Sequence, residues 1–464
     1  MPDSRVDIAI VGGGPAGTAA AELLGRSGMR VVLLDDNPRL GGQYLRGGRR
    51  ANGGTDPVAR RGLATIEALE RLGVDVRSGA EVIGIEPAFE LLISQRGTLF
   101  GVRCERVLLA TGARERFVPF AGWTLPGVLS TGAVQILIKQ SRVLPARETL
   151  VAGAGPFLHA VAGDLLRHGG RVSAVADEAQ VLTGLPHPGL LAAQWAKFSA
   201  GGMLVARLLA AGVPIRPATR VVAARGNDGL EEVVTAAVDR RGAVVPGTER
   251  TYRAGALAVG FGFTPNIEAA RLAGCEIVYN ASLGGWVVRV GDDLETSVAG
   301  IHAAGEITAV GGAAKSWIEG RIAAYGILRR SGRLQPGAMR REIAGLQRTR
   351  RGQMAFARWF NARYTFGSEY MARRFGELAD DVPLCRCESV TIGAVRRALA
   401  EGLTTPAGVK KATRCGMGIC QGSTCGPILA EALAALTGSP RSQVPLPSVR
   451  MPLKPVALGT LAGS

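Results

Sequence analysis

Histidine is scarce in this 464-residue chain: His159, His168, His187 and His302 are the only four, and none sits in a recognisable acid/base motif. No convincing set of His, Tyr and acid for deprotonating a substrate can be assembled, which argues against a self-sufficient acid–base enzyme. Aromatic residues make up 5% of the chain, so no base-stacking surface is evident. The net charge of +17 comes from Arg and Lys scattered along the sequence, and nucleic acid is not the expected partner. One local basic run, Arg340, Arg341, Arg348, Arg350 and Arg351, reads as a solvated helix face. A docking surface for an acidic partner or for flavin phosphates is the sharper alternative. No apolar run approaches membrane-spanning length, and Met1 to Arg5 leads into a strand without a signal-peptide pattern. The expectation is a soluble, cytoplasmic protein, with peripheral membrane contact left open. The middle of the chain lacks a Cys-x-x-Cys, and Cys104 and Cys275 stand alone, which disfavours a disulfide reductase and makes both read as small buried hydrophobes.

What is abundant is glycine, 65 residues, with 47% hydrophobic and 20% charged residues, a composition ordinary for an α/β enzyme of several domains. Asp7 to Val11 is a short apolar run ending in Gly12-Gly13-Gly14-Pro15-Ala16-Gly17, followed by Ala19, Ala20, Leu23 and Leu24 at helical spacing and by a second apolar run to Asp35. Strand, glycine turn, helix, strand and terminal acid together form a dinucleotide-binding βαβ unit, whose bare backbone and helix N-terminus suit a pyrophosphate and whose Asp35 suits a ribose hydroxyl. The pattern returns at Gly153-Ala-Gly155-Pro156 and ends at Asp177, making an internal repeat. There Leu158 stands where a third glycine would allow close helix-to-strand packing. Asp177 would disfavour a 2′-phosphate, so NAD or another adenine nucleotide is the candidate ligand, and a vestigial turn is the alternative.

Five of the seven cysteines, Cys385, Cys387, Cys415, Cys420 and Cys425, crowd near the C-terminus. In a chain of this size they are not a secreted disulfide framework; reduced thiols holding a metal read better. A Cys-x-Cys and a Cys-x4-Cys supply the four sulfurs that [2Fe-2S] and zinc sites require, and the two remain alternatives at this point. Two Cys-x-x-Cys knuckles, the usual zinc-ribbon signature, are missing. With one cysteine a spectator, Cys385, Cys387, Cys420 and Cys425 are the expected ligands, because the last two precede a helix whose N-terminus favours an anionic cluster.

Gly41-Gly42-Gln43, Ala110-Thr111-Gly112-Ala113, and Gly305-Glu306 followed by Gly311-Gly312 resemble the two-dinucleotide-domain flavoproteins typified by thioredoxin and glutathione reductases. The resemblance implies an α/β fold with two Rossmann-like domains. It also implies FAD held by Gly12, Gly14, Pro15, Ala16, Gly17, Asp35, Gly42, Gln43, Thr111, Gly112, Gly305, Glu306 and Gly312. That family normally reads Gly-Asp where this chain has Gly305-Glu306, so the contact of Glu306 is the point of departure. The cysteine spacing resembles a small helical domain of the bacterioferritin-associated-ferredoxin (BFD-like) [2Fe-2S] type. The implied division is a discontinuous FAD domain (1–118 and 255–332), an inserted NAD-binding-like domain (119–254), a helical linker (333–383), the iron–sulfur domain (384–440) and an extended tail (441–464).

Thr413-Arg-Cys-Gly-Met-Gly-Ile-Cys420-Gln-Gly-Ser-Thr-Cys425-Gly, with Leu125-Pro-Gly-Val, Gly260-Phe-Gly-Phe-Thr-Pro-Asn266 and Lys454-Pro-Val-Ala-Leu-Gly, resembles a narrower group. It is the A-type subunit of heteromeric amine-oxidising flavoenzymes: opine oxidases, D-hydroxyproline dehydrogenases and hydrogen cyanide synthases. That likeness implies an electron-transfer subunit beside an FAD-containing catalytic β subunit, in some cases with FMN at the subunit interface or a small ferredoxin-like γ subunit. A self-contained NAD(P)H-dependent reductase and a non-catalytic iron–sulfur sensor or scaffold are the rival readings.

Overall fold

The computed structural model describes residues 5–45, 57–179, 186–335, 337 and 339–462. Along the chain, β1 (Val6–Val11), α1 (Pro15–Arg26) and β2 (Val31–Asp35) form the first βαβ unit, followed by β3 (Asp75–Ser78), β4 (Ala80–Glu86), β5 (Glu90–Gln95) and β6 (Thr98–Leu109). The second unit is β7 (Glu148–Gly153), α2 (Phe157–Arg167) and β8 (Arg171–Asp177), with β9 (Ala256–Gly260) further on. Then come β10 (Ile301–Ala303), α3 (Ala313–Arg330), α4 (Arg340–Tyr364), α5 (Ser368–Gly376), α6 (Ile392–Ala400), α7 (Pro406–Thr413) and α8 (Cys425–Thr437). Among the described residues no helix is long and apolar enough to cross a membrane.

The chain divides into two compact units. The first comprises Met1–Arg114, Thr264–Asn361 and Val449–Ser464. Its sheet runs β3-β2-β1-β6-β5-β4, with β10 also pairing with β6. β6 is long because it serves two partners: residues 98–103 pair antiparallel with β5, and the stretch from Cys104 pairs parallel with β1. Parallel strands covered on both faces read as unbroken apolar runs, and Ile8, Ile10, Leu33 and Leu108 are fully buried accordingly. Helix α3 lies against α1 at Gly320, where a Cβ would meet the Ala16 carbonyl oxygen at 2.1 Å.

The second unit is Glu115–Phe263 with Ala362–Ser448. Its five-stranded sheet runs Ile215–Pro217, β8, β7, β9, Val128–Ser130, all parallel. β9 therefore belongs to this sheet, and the chain returns to the first unit after Phe263 rather than at residue 255. The expected helical linker consists of α4 and α5. Its basic run does not all face water, since Arg350 donates from Nε to Glu319 at 2.8 Å. The tail is not merely extended: it ends in a short helix, Leu458–Ala462, and in the first unit the Leu453 amide donates to the Ile83 carbonyl at 2.7 Å.

Within the second unit α5 is fixed by a buried charge. Glu178, 1% exposed, accepts hydrogen bonds from Arg220 Nε at 2.8 Å, from the Tyr370 hydroxyl at 2.7 Å, and from Arg374. Burial alone would lift its pKa, but Arg374 and Arg220 hold it below the ordinary range. Removing one charge from such a cluster strands the others in a poor solvent. Glu178→Gln is therefore expected to lower stability by about 3–5 kcal/mol, read as a downward shift of the urea midpoint followed by circular dichroism.

Candidate cofactor sites

Three glycine-bearing loops of the first unit meet at the end of its parallel strands. Gly12 has φ +108° and its Cβ would meet the Ala110 carbonyl oxygen at 2.3 Å; a Cβ on Gly42 would lie 3.1 Å from Gly14 Cα; one on Gly305 would lie 3.0 Å from Ala16 Cβ. Gly17 is as constrained, its Cβ position being 1.9 Å from the Gly12 carbonyl oxygen, which is what lets α1 start so close to β1. By contrast a Cβ at Gly112 or Gly312 would meet nothing within 4 Å, so these stretches of backbone are bare and uncovered. Pro15 opens α1, where its missing N–H costs nothing. Gly42 and Gln43 begin a short helical turn, anchored by the Gly41 amide donating to the Gly13 carbonyl at 2.8 Å.

Asp35 is oriented from both sides: one oxygen accepts from the Gly13 amide at 2.5 Å, the other from the Asn37 amide at 2.7 Å. Burial raises its pKa, and these amides offset part of that rise. The bare glycine backbone, the helix N-terminus and the held acid fit the pyrophosphate and ribose of a dinucleotide. Thr111 plays a different part from the one its motif suggests. Its hydroxyl donates to the Asn266 carbonyl at 2.6 Å, and Asn266 returns a bond from Nδ2 to the Thr111 carbonyl at 2.9 Å, so the pair pins the Ala110–Gly112 loop.

Glu306 turns back on its own loop. Its Oε1 accepts from the amides of Gly311 at 3.0 Å and Gly312 at 2.8 Å and from the Ser316 hydroxyl at 3.3 Å, which caps the start of α3. The longer side chain thus spans the loop to the next turn. Beneath it lies a cluster that sequence reading missed. Lys315, fully buried, donates to the carbonyls of Gly305 and Ala309 and pairs with buried Glu319 at 2.8 Å; Glu319 also accepts from the Gly305 amide at 2.9 Å. Lys315 and Arg350 hold Glu319 ionised against burial. The Lys-to-Glu spacing of four residues on one helix was the available signal.

In the second unit the glycine turn keeps its shape, Gly153 at φ +129° against the Gly260 carbonyl and Gly155 at φ +125° with open space around it. Leu158 is buried in the core, as the missing third glycine requires. Asp177 accepts from the Ala179 amide at 3.0 Å and is pushed up to about 7 by burial, offset by the Ala179 and Gly155 amides and reinforced by neighbouring Glu178. His159 is held neutral by burial.

The thiols lie in the second unit. Pro383–Cys385 and Val390–Thr391 pair as a two-stranded ribbon with Cys387 in its turn, and Thr391 then caps α6. The second segment leaves α7 through Arg414 in the left-handed region and winds through Gly416 (φ +84°) and Gly422 (φ +77°) into α8, which Cys425 opens. The sulfurs of Cys385, Cys415 and Cys425 all lie within 4.8 Å of one another and are buried. Cys420 shares hydrogen bonds with Cys425 and Cys387. Its thiol is drawn down to about 4, first by the bond with Cys425, then by the amides of Thr424 and Gly422. The Cys425 thiol is correspondingly pushed up by Cys415 and Cys420. Five soft ligands converging from two segments, with thiolate character and a helix N-terminus beside them, match the donor set of an iron–sulfur centre. Cys415, expected as a spectator, is inside this group rather than outside it.

Comparison with known proteins accords with both sites. Residues 6–327 match the pyridine nucleotide-disulphide oxidoreductase family and residues 383–435 match the BFD-like [2Fe-2S] binding domain. The chain is 34% identical to the HcnB subunit of hydrogen cyanide synthase from Pseudomonas aeruginosa, covering 96% of each, and 31% identical to the A-type subunit of opine oxidase from Rhizobium meliloti, covering 98% of each. Among solved structures, L-proline dehydrogenase from P. horikoshii has the same fold, with a TM-score of 0.72 at 21% identity over 98% of this chain and 79% of that one.

Two outcomes follow from the geometry. Asp35→Ala removes a charged hydrogen-bond acceptor, about 1.5–3 kcal/mol, so FAD affinity of the apoprotein should fall roughly 10- to 100-fold in a fluorescence titration. Because folded Asp177 keeps its proton to about pH 7, its contribution to stability is complete below the ordinary carboxylate range and is lost as pH rises toward 7. Urea midpoints should therefore decline from pH 5 to pH 8, and Asp177→Asn should flatten that decline.

Proposed function

The chain belongs to the pyridine nucleotide-disulphide oxidoreductase family, and from that premise we propose that it is the electron-transfer subunit of a heteromeric dehydrogenase or oxidase acting on the C–N bond of an amino acid or secondary amine. The single observation that carries the reading is the joint presence, in one chain, of a flavin-type glycine cradle and a five-thiol centre. His302, the most buried of the histidines, is held down to about 4 and, among the described residues, meets no hydrogen-bond partner at either ring nitrogen, which is a poor setting for a proton shuttle. Chemistry at the amine is thus assigned to a separate FAD-containing β subunit. This agrees with two relatives named as subunits, of opine oxidase and of hydrogen cyanide synthase. The reading accommodates two further components, an FMN at the interface with that partner and a small ferredoxin-like γ subunit.

Bound FAD and a [2Fe-2S] cluster supply the redox steps, accepting an electron pair and releasing it singly. The residues of this chain place and insulate them. Gly14, Ala16 and Gly17 present backbone amides to the pyrophosphate at a helix N-terminus that Pro15 opens, Gly12 gives the turn its close approach to Ala110, Asp35 takes the ribose, and Gly42, Gln43, Thr111, Gly112, Gly305 and Gly312 border the same cradle. Glu306, Lys315 and Glu319 act one layer below by fixing the Gly305 turn. Cys385, Cys387, Cys420 and Cys425 are the proposed iron ligands, with Cys415 packed against them.

The second glycine turn gives the NAD(P)H-reductase reading its one support, since Gly155 is open and Asp177 is oriented. Against it stand Leu158 and a carboxyl protonated to about 7. Purification with the adjacent-gene partner separates the readings. About two irons and two labile sulfides per chain, flavin, amine-dependent reduction, and no flavin bleaching by NADH are expected. Rapid bleaching by NADH alone favours the reductase, and bound zinc or the absence of flavin removes the electron-transfer reading.

A further inference from the structure

We propose that the turn around Cys387 and Cys420 is the docking face for a small electron-carrier protein with an acidic rim, and that electrons leave the chain there. The proposal rests on the electron-transfer reading above and names its partner. The five thiols are covered unequally: Cys385, Cys415 and Cys425 are buried, Cys420 is half-buried and Cys387 is exposed. The thiol centre therefore has one dry side and one side open to a visitor.

On the open side the chain places apolar side chains. Gly418 packs directly on Cys387, its Cβ position only 2.4 Å from Cys387 Cβ, and the residues on either side of it, Met417 and Ile419, are 38% and 75% exposed. Single exposed apolar residues are ordinary, but this pair flanks Gly418, which packs on the exposed thiol with Glu388 Oε1 3.1 Å from its Cβ position. The charge nearby in sequence is predominantly positive. The two cysteine segments carry Arg386, Lys410, Lys411 and Arg414 against the single acid Glu388, and Arg414 pairs with that acid at 2.9 Å. A small apolar centre inside a basic rim is the form taken by transient redox encounters, which bury little area and depend on charge for steering. The complementary partner is a soluble carrier whose own redox centre sits within an acidic rim.

Each encounter moves one electron: the centre in this chain is oxidised by one, the carrier's metal is reduced by one, and no bond is made or broken. Two encounters clear the pair released by one C–N oxidation, whose protons pass to water.

The test uses the complex purified with its catalytic partner, an acidic plant-type [2Fe-2S] ferredoxin as probe and a basic cytochrome c as control. Association is followed by stopped-flow and at equilibrium, without amine, so that binding is judged independently of the amine-oxidation reading. Affinity for the ferredoxin is expected to fall at least tenfold between about 20 and about 200 mM salt, while cytochrome c binds weakly throughout. Lys411→Glu should cut the low-salt association rate several-fold, and Ile419→Ser should speed dissociation at both salts, with iron and sulfide content unchanged. Salt-independent binding, equal binding of cytochrome c, or no effect of either variant overturns the proposal. So does a rise in the hydrogen-exchange protection of residues 415–421 when the isolated chain is joined to its catalytic partner, since that places a stable protein partner on the face. Failure of amine to reduce the centre, with these binding results intact, instead removes the parent reading.

Discussion

Cys425 opens α8, and its sulfur shares a space less than 4.8 Å across with those of Cys385 and Cys415. Thiols this close cannot all ionise together, and the neighbouring Cys420 is drawn to about 4 by its bond with Cys425 and by two backbone amides. The arrangement is costly unless a cation accepts the negative charge. The surrounding structure is built to hold it nonetheless: Leu384, Val390, Ile392, Val409 and Leu429 form one buried core around the two cysteine segments. Trp123 donates from Nε1 to the Pro383 carbonyl at 2.7 Å, just before Cys385, and Arg116 pairs with Glu431 on α8. The inserted sheet domain and the cysteine domain are therefore one packed body, and the site inherits its rigidity from that packing rather than from its own loops.

The first unit solves a different problem, how to bring a bare backbone close to a polyanion without side chains in the way. Gly12, Gly17 and Gly320 are spent on close approach within the protein, whereas Gly112 and Gly312 are left uncovered. The replacement of Asp by Glu at position 306 follows from the same geometry. A carboxylate one methylene longer reaches the Gly311 and Gly312 amides and caps α3. The Gly305 turn is then held from behind by Lys315 and Glu319. Holding a turn with a fully buried ion pair is expensive in desolvation, and the excellent hydrogen bonding of both partners is what makes it tenable.

Most of the fold was legible because its signals are local. A buried parallel strand is a short apolar run, a phosphate turn is a glycine spacing, and both repeat in this chain. What was not legible depends on residues brought together from afar. Nothing in the apolar run at Ala256–Gly260 says that it lies between β7 and Val128–Ser130 rather than in the first sheet. Arg350 reads as one more solvated cation until α4 is laid beside α3 and its Nε meets Glu319. The role of Glu306 depends on whether residues five and six further on turn back toward it, which sequence spacing does not reveal. Cys415 illustrates the same limit. Its place a turn before Cys420, farther from the start of α8, made it look dispensable, but the left-handed turn at Arg414 brings it back among the other sulfurs.

The pattern of acidities at the buried acids and His302 agrees with a chain that handles electrons rather than substrate protons. A proton-transfer site needs a group poised near neutral pH within reach of substrate. Here Asp177, the carboxyl that approaches neutrality, is 3% exposed and bonded to the backbone of its own turn, and His302 is driven far below neutrality by burial. Glu178 and Glu319 are ionised but saturated by buried cations. These acids and this imidazole are structural, whereas two of the thiols, Cys420 and Cys387, reach solvent. Electrons can pass through such a molecule at both cofactor positions. Asp177, His302, Glu178 and Glu319 offer protons no comparable route, which agrees with the proposal that bond cleavage at an amine belongs to a partner subunit.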